Sequence, residues 1–217
     1  MSPRCAGSRG ASPPSAAILV DAQGERLVCA CNDPRLDADA SRRPLERDAD
    51  CHGVLGEVRW PEGMAAVFDP AARHGILRIF DGAVGPRETL VDLAKRATPA
   101  VFCSQGWHTP PAHPLRGELM RSRAPSPASS ASRRVQTESF GAKARAPDLA
   151  PKVVAIDTHA AGDVWHGALT LAVAEGPDVA GAVRLGNAAA AIECYRAGER
   201  LGTSRRDEVT ALLSAEW

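Results

Sequence analysis

The sequence predicts an α/β fold built on a parallel sheet. Two observations carry that prediction. Between residues 51 and 103, short apolar runs alternate with helix-length amphipathic segments. Strand, helix, strand, helix, strand in that order implies right-handed βαβ crossovers. Beyond residue 160 the chain becomes small and apolar over two helix-length runs, as in helices buried on most sides. A length of 217 residues suits one domain of ordinary size, and an apolar share of 44% can fill its core.

Taken in order, residues 1–15 are mostly Ser, Pro, Gly, Arg and Ala with little to bury, and read as disordered. Residues 16–31, AAILV-DAQGER-LVCAC, place two apolar runs around a glycine-containing polar turn, a hairpin signal. Residues 32–48 are polar and loop-like, and CHGVLGEV at 51–58 reads as a buried strand. Pro61 opens a helix at its favoured early position, running to about His74, where Gly75 stops it. ILRIFD at 76–81 is a strand of the parallel-sheet type. Residues 86–97 put Leu90, Leu93 and Ala94 on one face and read as a helix. PAVFC at 99–103 is a short strand.

The pattern then breaks. Residues 104–150 hold six Pro, seven Ser and seven Lys plus Arg against three Asp plus Glu. Only seven of these 47 residues are Val, Ile, Leu, Met, Phe or Trp, too few to offset the ordering entropy. Most of the segment is expected to lack regular structure. It reads either as a basic tail or linker, or as a stretch foreign to the flanking fold, as a shifted reading frame in a GC-rich gene would give. KVVAID, with order resuming at Val153, reads as a strand. AGDVWHGALTLAVAEG at 161–176 is a helix ended by Gly176 and Pro177. VAGAVRLGNAAAAIECY at 179–195 is a second helix, 196–202 a loop, and 206–214 a short last helix with Val209, Leu212 and Leu213 inward. The chain thus divides into 1–15, 16–103, 104–150 and 151–217, the second and fourth parts forming one domain.

Composition excludes several classes of function. Lys plus Arg and Asp plus Glu are both 26, so no global field draws in nucleic acid or an anionic membrane. The aromatic share of 4% gives no base-stacking surface, and no apolar run reaches transmembrane length. The basic stretch 116–145 lacks aromatic interleaving. The start of the chain lacks a secretory h-region, so a cytosolic protein is expected. Six cysteines are too few for a disulfide scaffold, and free thiols are expected. Cys29, Cys31, Cys51 and His52 are a conceivable zinc set, but C-x-C is an awkward spacing for a structural knuckle. Neither GxxxxGK[ST] nor GxSxG occurs, which argues against a Walker ATPase and an α/β-hydrolase.

The informative stretch is Asp157-Thr158-His159-Ala160-Ala161-Gly162-Asp163. It enters a helix through small residues, whose unbonded backbone amides make an anion hole suited to a phosphate. Asp163, just inside that turn, makes sense as a base taking a proton from a hydroxyl that attacks phosphorus. Capping alone also places Gly and Asp at helix starts. His159, Asp163 and His166, at i, i+4 and i+7, are a conceivable metal triad.

DTHAAGDVWHGAL resembles the second signature of the PfkB/ribokinase family of carbohydrate kinases, D-T-x-G-A-G-D followed by a small-residue helix. Asn187 to Ala191 and the 196–202 loop continue the resemblance, and residues 16–103 are similar to the family's middle section. The resemblance implies an incomplete ribokinase-like three-layer α/β/α sandwich. It implies ATP-dependent phosphoryl transfer to a sugar hydroxyl, with ATP and Mg²⁺ as cofactors and K⁺ as an optional ion. By the same resemblance Asp163 is the catalytic base, and the backbone of Ala160, Ala161 and Gly162 is the anion hole. Asn187 is a nucleotide-pocket residue, and Asp157 with the His159 carbonyl forms part of a monovalent-cation loop. Sugar and ATP are the expected partners, with no nucleic acid and no membrane; the oligomeric state stays open, a dimer being one option.

The chain also departs from the pattern. The family's amino-terminal sugar-binding portion has no counterpart, CSQGW at 103–107 lacks the carboxylate that helps place Mg²⁺, and 104–150 lacks a T-x-G-x-x-G nucleotide turn. The family pattern stops at about Cys103 and resumes at about Pro151. A weakly active or inactive kinase is therefore expected, the alternative being a non-catalytic remnant that binds nucleotide or a protein partner.

Overall fold

The computed structural model describes residues 10–20, 26–36, 38–41, 51–82, 85–97, 101–103, 119–121, 135–139, 142–146, 151, 153–176, 179–196 and 202–215. β1 (Ser15–Val20) and β2 (Arg26–Cys31) form the expected antiparallel hairpin. A parallel sheet follows, in the order β3 (Gly53–Glu57), β4 (Leu77–Asp81), β5 (Val101–Cys103) and β6 (Leu119–Arg121). Its crossovers are α1 (Pro61–Arg73) and α2 (Arg87–Arg96). β7 (Val135–Ser139) and β8 (Ala142–Ala146) make a second hairpin. α3 (Ala161–Glu175), α4 (Val179–Cys194) and α5 (Arg206–Ser214) complete the chain.

The strand–helix alternation works because β4 is apolar toward both faces. Ile79 and Phe80 are adjacent, point to opposite sides and are both fully buried. Phe80 packs with Met64, Phe68, Leu90, Leu93 and Ala94 from α1 and α2. Ile79 packs with Trp165, Leu169 and Ala172 of α3 and with Ala182, Val183 and Ala190 of α4. Three layers result, helices on both faces of the sheet. Two glycines are required locally. Gly75 closes α1 at φ 68°, with Ile76 N–H donating to the Ala71 carbonyl and Gly75 N–H to Ala72, a Schellman end. At Gly56 a Cβ would overlap the Met64 sulfur, so its absence lets α1 lie close on β3.

One expectation is corrected. Residues 153–156 do not form a strand. Val and Ile favour a pleated ladder, but a strand exists only where a neighbour supplies hydrogen bonds. Here the Ile156 and Asp157 amides donate to the Cys194 carbonyl at the end of α4, at 2.7 and 3.1 Å. Val154 is 87% exposed and Ile156 70%. Within 104–150, most of which is expected to lack regular structure, the described residues form β6, β7 and β8. In β7 and β8, Gln136 and Glu138 alternate with smaller or apolar neighbours, and so do Lys143 and Arg145, a period of two that average composition conceals. The rest of that segment, like residues 1–9, lies outside the described residues. No described helix is long and apolar enough to cross a membrane.

Candidate functional site

The entrance to α3 is built by its own sequence. Asp157 Oδ1 accepts the His159 amide at 2.8 Å, an Asx turn that folds the chain back on itself. Thr158 is buried beneath it. Ala160 then adopts φ 58°, ψ −2°, the left-handed region, and the helix begins at Ala161 with no side chain capping it. The Ala161 amide makes a long 3.4 Å bond to the Thr158 carbonyl, and the first regular helical bond is Val164 N–H to Ala160 at 2.9 Å. The amides of Gly162 and Asp163 are therefore unspent among the described residues, at the positive end of the helix dipole. No side chain larger than a methyl group precedes Asp163 on this turn from Ala160 onward. Asp163 itself is exposed.

The carboxyl ends of the edge strand β3 and its parallel neighbour β4 meet this entrance. Register pairs Glu57, last in β3, with Asp81, last in β4. His166, one turn into α3, is buried with its Nδ1–H donating to the Gly162 carbonyl at 2.8 Å; Asp81 Oδ2 lies 3.5 Å from the same nitrogen. Asp81 Oδ1 is buried without a hydrogen-bond partner among the described residues. Burial pushes the Asp81 carboxyl up from its ordinary range; His166 opposes that rise and Asp163 adds to it. Glu57 is also pushed up, first by burial, against the Arg59 amide and guanidinium, with Asp81 and Asp163 adding to the rise. The site therefore combines amides that attract an anion with three carboxylates that repel one another.

Of the residues named from sequence, Asp157, His159, Ala160, Ala161, Gly162 and Asp163 share one turn. Asn187 lies apart, buried on α4, where its Oδ1 accepts the Trp165 indole N–H at 2.8 Å. Glu57 and Asp81 escaped the sequence reading. Their only signal was an acidic residue ending each of two successive parallel strands, where α/β sheets place ligands. Neither the His159, Asp163, His166 set nor the full Cys29, Cys31, Cys51, His52 set is brought together as a site of three or more ligands. No such group of three or more His, Cys, Asp or Glu exists among the described residues. His166 turns inward to Asp81 while Asp163 faces solvent, and Cys29 and Cys31 lie exposed on β2.

The three-layer α/β fold sets an uncapped, small-residue helix start beside the strand ends, where open amides and the helix dipole favour an anion. Comparison with known proteins gives the family. The sequence model of the pfkB family carbohydrate kinases matches residues 139–205. The match begins before Pro151, so residues 139–150, read above as foreign to the family pattern, fall within it. The ribokinase of Bacillus subtilis is 41% identical over 59 residues, 27% of this chain and 20% of that protein. The crystal structure of a provisionally assigned ribokinase from Agrobacterium tumefaciens is 32% identical, with a TM-score of 0.78 over 94% of this chain and 69% of that one. Arabidopsis thaliana ribokinase, solved with ribose and ATP, shares the fold at a TM-score of 0.70 and 16% identity, over 95% of this chain and 71% of that one. The chain belongs to the PfkB family of carbohydrate kinases and has its ribokinase-like fold, in incomplete form.

Proposed function

We propose that the entrance to α3 binds the phosphates of ATP, and that the chain is an ATP-dependent sugar kinase of low or no turnover. The unspent amides of Gly162 and Asp163 behind a left-handed Ala160 carry this reading. With the backbone of Ala160 and Ala161 they offer donors to the charge that develops on a transferring phosphoryl group. Asp163, exposed at the same turn, takes the proton of the attacking sugar hydroxyl. Asn187 lines the nucleotide pocket, and Asp157 with the His159 carbonyl contributes to a site for a monovalent cation such as K⁺. These carboxylates are not grouped as a metal cage. Mg²⁺ suits the site as an ion carried by the nucleotide, where it neutralises charge on the phosphates.

A second reading, a non-catalytic nucleotide binder, is favoured by Ser104-Gln105-Gly106-Trp107, which brings no carboxylate after β5. Calorimetry with ADP, with and without Mg²⁺, followed by ATP turnover on a panel of sugars, tests both. Saturable ADP binding with turnover that Asp163→Asn removes supports the kinase. Binding without turnover in either protein supports the second reading. No binding of ADP at millimolar concentration rejects both.

A further inference from the structure

β2 carries two exposed thiols, Cys29 and Cys31, two residues apart. Strand alternation puts both on one face. The hairpin register sets Ala17 opposite Cys29 and Ser15 opposite Cys31, so the neighbours across the ladder are small. Further along that face stand Leu19 and Leu27, both exposed. Nothing bulky separates the two sulfurs, and both are open to solvent.

Distance decides what such a pair can do. Alternate residues of an antiparallel strand lie about 6.8 Å apart, their Cα–Cβ bonds nearly parallel. A disulfide needs Cβ atoms about 3.8 Å apart, which this arrangement does not supply. Two thiolates flanking a single ion need to approach only to about 4.6 Å, given metal–sulfur bonds of about 2.3 Å. Staggered rotamers that lean the two sulfurs toward each other along the strand would bring them to about that separation. Zinc prefers four ligands, and no larger group of His, Cys, Asp or Glu is assembled among the described residues. Soft thiolates select Cu(I).

We infer that Cys29 and Cys31 form a two-thiolate site for a soft monovalent cation of the Cu(I) class on the exposed face of the β1–β2 hairpin. Binding exchanges two S–H bonds for two metal–sulfur bonds and releases two protons; no electron is transferred. The test is an anaerobic titration of the full chain with Cu(I) against the chromophoric chelator bicinchoninate. One tightly held equivalent is expected. It is lost in Cys29→Ser and in Cys31→Ser and kept in Cys51→Ser, with circular dichroism confirming that each variant folds. Retention of that equivalent in the Cys29→Ser, Cys31→Ser double variant overturns the assignment. So does its loss in Cys51→Ser, which would mean a larger cluster. Ready formation of a Cys29–Cys31 disulfide under mild oxidation, mapped by peptide mass, also overturns it, because the sulfurs would then approach closer than the strand allows.

Discussion

Ala160 holds φ 58° immediately before α3, the single non-glycine residue at positive φ among the described residues. The left-handed region costs an L-residue about 1–2 kcal/mol, and glycine escapes that cost while giving back about 0.4–1 kcal/mol through a freer unfolded chain. Ala160→Gly is therefore expected to stabilise the protein by roughly 0.5 kcal/mol. Ala160→Val, with a branched side chain, is expected to destabilise it by about 2 kcal/mol. Urea unfolding of both variants measures this, and an Ala160→Gly that loses stability would contradict the left-handed turn. Asp163 is exposed, so Asp163→Asn should leave stability within about 0.5 kcal/mol. As a general base it should cost any residual turnover about 10²–10⁴-fold while ADP still binds. Asp81 carries a pH signature. Burial raises its carboxyl in the folded state, so the native protein keeps a proton that the unfolded chain has already lost. Stability then falls as pH rises from the ordinary carboxylate range through the folded value. Asp81→Asn is expected to raise Tm at neutral pH and to lose that advantage in acid below the carboxylate range. A lower Tm at neutral pH would mean that the His166 contact outweighs burial.

α5 is short and is held by Val209 in the α3–α4–α5 cluster and by a bidentate pair, Arg196 Nη2 to Glu208 Oε1 at 2.6 Å and Nη1 to Oε2 at 3.2 Å. The Arg205 amide donates to the same carboxylate at 2.7 Å. Arg196 first, then that amide, hold the Glu208 carboxyl down at about 2. A depressed carboxyl stabilises above its unfolded value of 4.5, and the contribution is lost as pH falls toward 2. Glu208→Gln should speed amide exchange across 206–214 at neutral pH, with the difference vanishing near the acid end of that window; equal rates at neutral pH would remove the pair's role. The ends of α1 and α3 were legible because Pro61, Gly75 and Gly176 punctuate them locally. The strand over 153–156 was misread because β-propensity is local while a ladder partner is not. The 135–146 hairpin was passed over because its alternation spans a dozen residues within a segment judged on the composition of 47. At the site, the 157–163 turn was legible as one contiguous motif. The meeting of Asp81 with His166 was not, since it joins residues 85 positions apart and depends on which face of α3 packs on β4.

At the scale of the molecule, the two apolar clusters on either side of β4 fix one edge of the sheet against the start of α3. That edge holds Glu57, Asp81, the unspent amides and Asp163 together. Positioning is also what phosphoryl transfer depends on, and its loss removes roughly 7–11 kcal/mol of barrier lowering, more than a general base supplies. Turnover with Mg²⁺·ATP and any of a panel of sugars is therefore expected to stay at least about 10²-fold below the ordinary range of about 1–10³ per second. A rate within that range would show that Ser104 to Trp107 supports metal placement without a carboxylate. The most direct measurement is an ADP titration of the ¹⁵N-labelled chain followed by amide resonances. The Gly162 and Asp163 amides should shift downfield and saturate together, as donors to a phosphate do. Saturable binding that leaves those two amides unmoved, or no binding at millimolar ADP, would contradict a phosphate site at the start of α3.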